Sequence, residues 1–184
     1  EEIGMTNPHF TRITDYRDVE SLNMFAELRA TGRDPDELLA ILASKSRDNG
    51  RTPMQWDASH NAGFTAGEPW ISVCDNYETV NARAALDDPD SVFYTYQALI
   101  RLRKTLPVLT WGDYEDLLPD HPYLWCYRRQ WQGQTLIVAA NLSPAPQEWR
   151  PDALHGEWNV VMSNYAGPDA AVLRPFEAVW WLQA

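Results

Sequence analysis

The chain has 184 residues, 45% of them hydrophobic, with nine tryptophans and a formal net charge of −11 at pH 7. Such acidity excludes a nucleic-acid binder, which needs clustered Lys and Arg to neutralise phosphates, and no apolar run approaches the ~18 residues that span a bilayer. Two cysteines far apart, Cys74 and Cys126, make neither a disulfide framework nor a zinc site; free thiols in a reducing compartment are the simpler account, with one long-range disulfide as the alternative.

Two regimes follow one another: helix and loop over residues 1–106, then strand and turn over residues 107–184. Thr14 or Asp15 can cap a first helix over residues 16–30, which stops near Gly32. Val19, Leu22, Phe25 and Leu28 fall at three-residue spacing and make one apolar stripe. Asp34 precedes Pro35, a good first helical residue, and Leu38, Leu39, Ile41 and Leu42 form the buried face of a second helix ending near Lys45. Residues 47–81 read as one long loop. Ser91 caps a third helix over residues 92–105, with Phe93, Tyr96, Leu99, Ile100 and Leu102 on its apolar side, and Pro107 ends it.

Beyond Pro107 the period changes. Leu117-Leu118 and residues 124–131, 134–141, 157–163 and 178–182 read as strands, with Gln132-Gly133 as a hairpin turn. Pro144, Pro146, Pro151, Pro168 and Pro175 punctuate the connections. The expected fold class is therefore α+β, its second part a small antiparallel β domain of sandwich type.

The most informative stretch is Lys45-Ser46-Arg47-Asp48-Asn49-Gly50-Arg51-Thr52-Pro53-Met54-Gln55-Trp56-Asp57, continued by Asn61-Ala62-Gly63-Phe64-Thr65 and Glu68-Pro69-Trp70-Ile71. Its Gly and Pro content rules out one regular element. Planar hydrogen-bonding groups mixed with aromatic faces suit a sugar site. An ordered surface loop held by its own Arg–Asp pairs is the other reading.

This run resembles the loop after the eighth barrel strand in α-glucosidases of glycoside hydrolase family 13, the α-amylase family. Glu1-Glu2-Ile3-Gly4-Met5-Thr6-Asn7 resembles the end of that strand, and Tyr16-Arg17-Asp18-Val19-Glu20-Ser21-Leu22-Asn23 the helix that follows it in the oligo-1,6-glucosidase branch. The segments from Asn7 to Asp15 and from Leu173 to Leu182 also fit the branch. The resemblance implies the C-terminal end of a (β/α)8 barrel over residues 1–106, with helix 92–105 as its eighth, and a β domain over residues 107–184. It implies a C-terminal fragment. The family's nucleophilic aspartate, acid/base glutamate and stabilising aspartate match no position here, so no catalytic residue is assigned and the isolated fragment is expected to be inactive.

The implied reaction is retaining hydrolysis of an α-glucosidic bond, with trehalose 6-phosphate as substrate and isomaltose-type oligosaccharides as the alternative. A non-catalytic carbohydrate-binding or structural domain is the reading outside enzymes. By motif match Arg47 reaches the substrate, with Glu20 beside it at the pocket mouth; a structural ion pair of Arg47 with Asp48 or Glu20 is the bland counterpart. Asn49 and Gln55 are expected to brace the loop. Trp56 and Trp70 can stack on sugar, but in a Gly/Pro-rich loop they are expected to anchor it to the core. Trp180 and Trp181 should face opposite sides of a strand. His9, His60, His121 and His155 have neither metal-ligand spacing nor an evident carboxylate partner. No cofactor or metal is implied. The expected partner is a small sugar, in the cytoplasm, with no nucleic acid and no membrane. Barrel helices without their sheet leave apolar faces through which the fragment is expected to self-associate.

Overall fold

The computed structural model describes residues 2–149, 154 and 156–183; Glu1, Pro151 and His155, named above, lie outside them. The chain divides into two compact units, Glu1–Tyr96 and Gln97–Ala184.

In the first unit, α1 (Val19–Ala30) starts three residues later than expected. Asp18, not Asp15 or Thr14, is the cap: its carboxylate accepts from the Ser21 backbone N–H at 3.1 Å. Asp15 instead closes a 3-10 turn by accepting from the Arg12 N–H. Tyr16, expected inside the helix, is buried and meets Phe10 edge-on with ring centroids 5.4 Å apart. The apolar stripe is only partly used: Leu22, Phe25 and Leu28 are half-buried and Val19 is exposed. Of the opening residues 1–7, expected to end a barrel strand, the described residues 2–7 make no ladder.

α2 (Pro35–Lys45) starts as its sequence dictates, with the Asp34 carboxylate accepting from the N–H groups of Asp36 and Glu37 at 2.7 and 3.3 Å. Leu38 and Leu42, one helical turn apart, carry its burial, whereas Ile41 is exposed. Gly32, at φ +90°, makes the left-handed turn between α1 and α2 that a side chain would resist.

The long loop is braced by its own backbone. The Trp56 N–H donates to the Ala62 carbonyl at 2.8 Å, and the Gln55 and Trp56 carbonyls accept from Ala82 and Arg83. Fully buried Gln55 donates to the Val80 carbonyl and to Asn76, and the Asn49 amide donates to the Leu42 and Ala43 carbonyls. Trp56 and Trp70 do not anchor it: their side chains are 53% and 64% exposed, because backbone bonds do the bracing. The loop ends in a short helix that its sequence does not signal, α3 (Ala82–Asp87), capped by Asn81.

α4 (Val92–Thr105) runs across the division between the units and occupies the expected residues. Pro107 then opens one more helical turn, α5 (Val108–Trp111). Among the described residues the strands are β1 (Glu115–Asp116), β2 (Leu124–Trp131), β3 (Gln134–Asn141), β4 (Gln147–Glu148), β5 (Asn159–Ser163), β6 (Val172–Leu173) and β7 (Ala178–Gln183). One antiparallel sheet has the order β1-β2-β3-β7-β5, and β4 and β6 pair as a separate ribbon. Gln132 and Gly133, both at positive φ, make the β2–β3 hairpin turn. Leu117 and Leu118, expected as strand, follow β1: Asp116 accepts from the Leu118 N–H, which turns the chain and packs both leucines on the core.

Alternation in β3 builds two cores. Ile137 and Ala139 face Leu124, Cys126, Val179 and Trp181, with Trp149 and Leu173 from the ribbon side closing over them. Leu136 and Val138 face the other way, against Val108 and Leu109 of α5, with Trp180 half-buried beside them. Trp180 and Trp181 thus lie on opposite faces, and Trp181 stacks on Trp149 at 5.5 Å.

Cys74 and Cys126 are both buried free thiols. Burial, helped by the charge of Asp116, pushes the Cys126 thiol up to about 12. The thiolate is the reactive form, so the native chain should not react with a disulfide reagent at pH 8, and denaturant should release both thiols. Fast native reaction at Cys126 would contradict this packing.

Candidate functional site

Five charged side chains converge where α1, α2 and the 3-10 turn Arg47–Gly50 meet. At the base is Asp48, fully buried. Its Oδ2 accepts from the backbone N–H groups of Arg17 and Asp18 at 2.6 and 2.8 Å, which fixes the chain as it enters α1. The Ser46 hydroxyl accepts from the Asp48 N–H and contacts the Ser21 hydroxyl at 2.9 Å, tying the turn to α1.

Above Asp48 lies Asp18, only 5% exposed. One oxygen serves Ser21, through its N–H and its hydroxyl; the other faces Arg47 Nη2 at 2.9 Å and Arg51 Nη1 at 3.2 Å. Burial alone would raise this carboxyl, but the Ser21 bonds and the Arg47 charge outweigh it and hold it below its ordinary value. Arg51 also reaches Asp48 at 3.5 Å.

Arg47 and Glu20 form the exposed top of the cluster. Arg47 Nη2 lies 3.1 Å from Glu20 Oε2, with the two side chains 59% and 78% exposed. The structure therefore brings Arg47 and Glu20 together, and gives Asp48 to Arg51. In both ion pairs of Arg47 the closest approach is made by Nη2. Arg47, Glu20 and Met24 line two adjoining depressions of about 320 and 460 Å³, the first also lined by Ile41 and Leu42. These volumes fall at the lower end of the ~300–1,000 Å³ of small-molecule sites.

Asp18, Asp48 and Arg51 were missed in the sequence. The spacing of Asp18 and Ser21 is a helix-start signature that could have found the first; Asp48 and Arg51, three residues apart, are a pair of the Arg–Asp kind expected to hold the loop. The histidine reading also needs correction. His9 Nδ1 lies 3.2 Å from Asp75, 66 residues away in sequence, so the partner was invisible. Both are exposed, and such pairs contribute little. His121 Nδ1 accepts from the Leu124 N–H at 2.9 Å. Among the described residues no cluster of His, Cys, Asp or Glu could hold a metal ion, and no helix is long and apolar enough to cross a membrane.

The sequence profile of the α-amylase catalytic domain matches residues 1–112. The chain is 70% identical, over its whole length, to trehalose-6-phosphate hydrolase of Escherichia coli (strain K12), and covers 34% of that protein. It is 47% identical to oligo-1,6-glucosidase of Parageobacillus thermoglucosidasius over 97% of this chain and 33% of that one. The crystal structure of Bacillus licheniformis trehalose-6-phosphate hydrolase superposes with a TM-score of 0.93 at 43% identity, over 98% of this chain and 34% of that chain. The chain spans about a third of the length of these relatives.

Proposed function

The chain belongs to the α-amylase family, and on that premise we propose that it is part of a retaining α-glucosidase that hydrolyses trehalose 6-phosphate to glucose and glucose 6-phosphate. Its architecture, helices and a long loop followed by an antiparallel β domain, is that of the C-terminal end of a (β/α)8 barrel and the domain after it. In this reading residues 1–106 are barrel and residues 107–184 the β domain. The observation that carries the substrate is the 70% identity, over the whole chain, to a trehalose-6-phosphate hydrolase. Isomaltose-type oligosaccharides are the second reading, favoured by the 47% identity to the oligo-1,6-glucosidase over 97% of this chain.

Retaining hydrolysis needs one carboxylate to form a glycosyl-enzyme and another carboxyl group to protonate the leaving sugar and then activate water. Those groups belong to other parts of the protein in this account, and the present chain alone is inactive. Its contribution is a pocket wall. Asp18 holds Arg47 from below, while the exposed Arg47–Glu20 pair, of a kind worth about 0–1 kcal/mol, exchanges easily for sugar hydroxyls. The Arg47 guanidinium supplies donors in a fixed plane. The protein works in the cytoplasm. Alone, the 184-residue chain hides exposed Val19, Leu86, Val92 and Ile100 by self-association.

In the full-length enzyme, Arg47→Met keeps the stem and removes the donors. It should lower kcat/KM for trehalose 6-phosphate by roughly 10- to 100-fold, the worth of one charged hydrogen bond. Unchanged kcat/KM would remove Arg47 from the substrate site.

A further inference from the structure

We propose that Asn49-Gly50 is a site of spontaneous covalent modification: the Asn49 side chain loses ammonia when the Arg47–Gly50 turn opens, and the turn cannot then re-form as before. This is the single Asn-Gly step in the chain, and Gly50 is exposed to solvent. In the closed turn the reaction is blocked twice. Asn49 Nδ2 is held by the Leu42 and Ala43 carbonyls at 3.3 and 3.0 Å, at the end of α2. Helical ψ values near −20 to −30° also turn the next N–H away from the side-chain carbon. Opening the turn removes both blocks, and glycine leaves the attacking nitrogen unshielded.

The chemistry needs only water. The Gly50 backbone nitrogen, having lost its proton to solvent base, attacks Asn49 Cγ. A C–N bond forms, the Cγ–Nδ2 bond breaks, and Nδ2 takes a proton back from solvent and leaves as ammonia. Water then opens the five-membered imide at either carbonyl, giving aspartate or its isoaspartyl isomer. The net change is NH exchanged for O, with no oxidation or reduction.

The product does not fit the place it came from. Asn49 donates to two carbonyls, and its own Oδ1 is buried without a partner. A carboxylate there has no proton to donate, faces the negative end of the α2 dipole and buries an unpaired oxygen. Arg47 and Asp48 stand on the same turn, so the modification releases the charged cluster as well.

The test heats the chain at mildly alkaline pH, below and across its unfolding transition, and reads mass and isoaspartate content in the peptide containing residues 48–51. Conversion should be absent while the chain is folded and should appear across the transition. Gly50→Ala adds a methyl group that meets nothing within 4 Å, at a position outside positive φ, so it should fold normally and lose the conversion. Asn49→Asp should melt at a lower temperature than the parent. Equal conversion in folded and unfolded chain, conversion in Gly50→Ala as fast as in the parent, or an Asn49→Asp melting temperature equal to the parent's would each overturn the proposal.

Discussion

Asp48→Ala should cost the first unit about 3–5 kcal/mol, the range for removing one partner of a buried ion pair. The side chain is fully buried and accepts from two backbone N–H groups, those of Arg17 and Asp18, while facing Arg51. Alanine leaves both backbone donors without their acceptor and leaves Arg51 with Asp18 alone, and the chain entering α1 loses its pin. Domains have only about 5–15 kcal/mol in total, so this unit should lose most of its cooperative transition. Asp48→Asn keeps one acceptor oxygen and should cost less, about 1–2 kcal/mol. Urea unfolding followed by tryptophan fluorescence separates the two. Equal midpoints for both variants would mean that the carboxylate is not what holds the turn.

The second large effect belongs to the β unit. Glu177 is fully buried and accepts from Arg174 three times: the backbone N–H at 2.7 Å and Nε at 3.0 Å on one oxygen, Nη2 at 2.7 Å on the other. The guanidinium lies over the Tyr165 ring at 4.3 Å. Glu177→Ala should therefore cost about 3–5 kcal/mol, and Glu177→Gln nearly as much, because an amide cannot accept both arms of the fork. The Arg174 bonds outweigh burial and hold the Glu177 carboxyl below its ordinary value. A depressed folded pKa means that the stabilisation is complete above the unfolded value of ~4.3 and is lost as pH falls through the folded value. Asp18 carries the same sign in the first unit. The β unit of the Glu177→Ala chain should then lose less stability on acidification than the parent. Identical acid dependence would assign the effect to other carboxylates.

Local signals were legible in the sequence where one residue decides the outcome. Asp34-Pro35 marked the start of α2, Gln132-Gly133 the hairpin, and the apolar spacing before Pro107 gave α4. They failed where neighbours compete. Asp15 and Asp18 can both cap, and only the second has Ser21 three residues on and Asp48 to hold its N–H. α3 and the β4–β6 ribbon were too short for periodicity to register. Trp56 and Trp70 were expected to anchor the loop, a role that buried Gln55 fills instead. In the site, motif match pointed to Arg47 and Glu20. The support beneath them was hidden because Asp18 and Arg51 pair across 33 residues, and such contacts exist only in the folded chain.

We propose that this chain forms a pocket wall of an enzyme acting on trehalose 6-phosphate. Its most direct test is kcat/KM of the full-length protein for trehalose 6-phosphate against isomaltose, under one set of conditions. The account predicts a preference for the phosphorylated sugar of roughly 10²-fold or more, as expected of a site built to bind a polar group that the competitor lacks. Equal values, or faster hydrolysis of isomaltose, would contradict it.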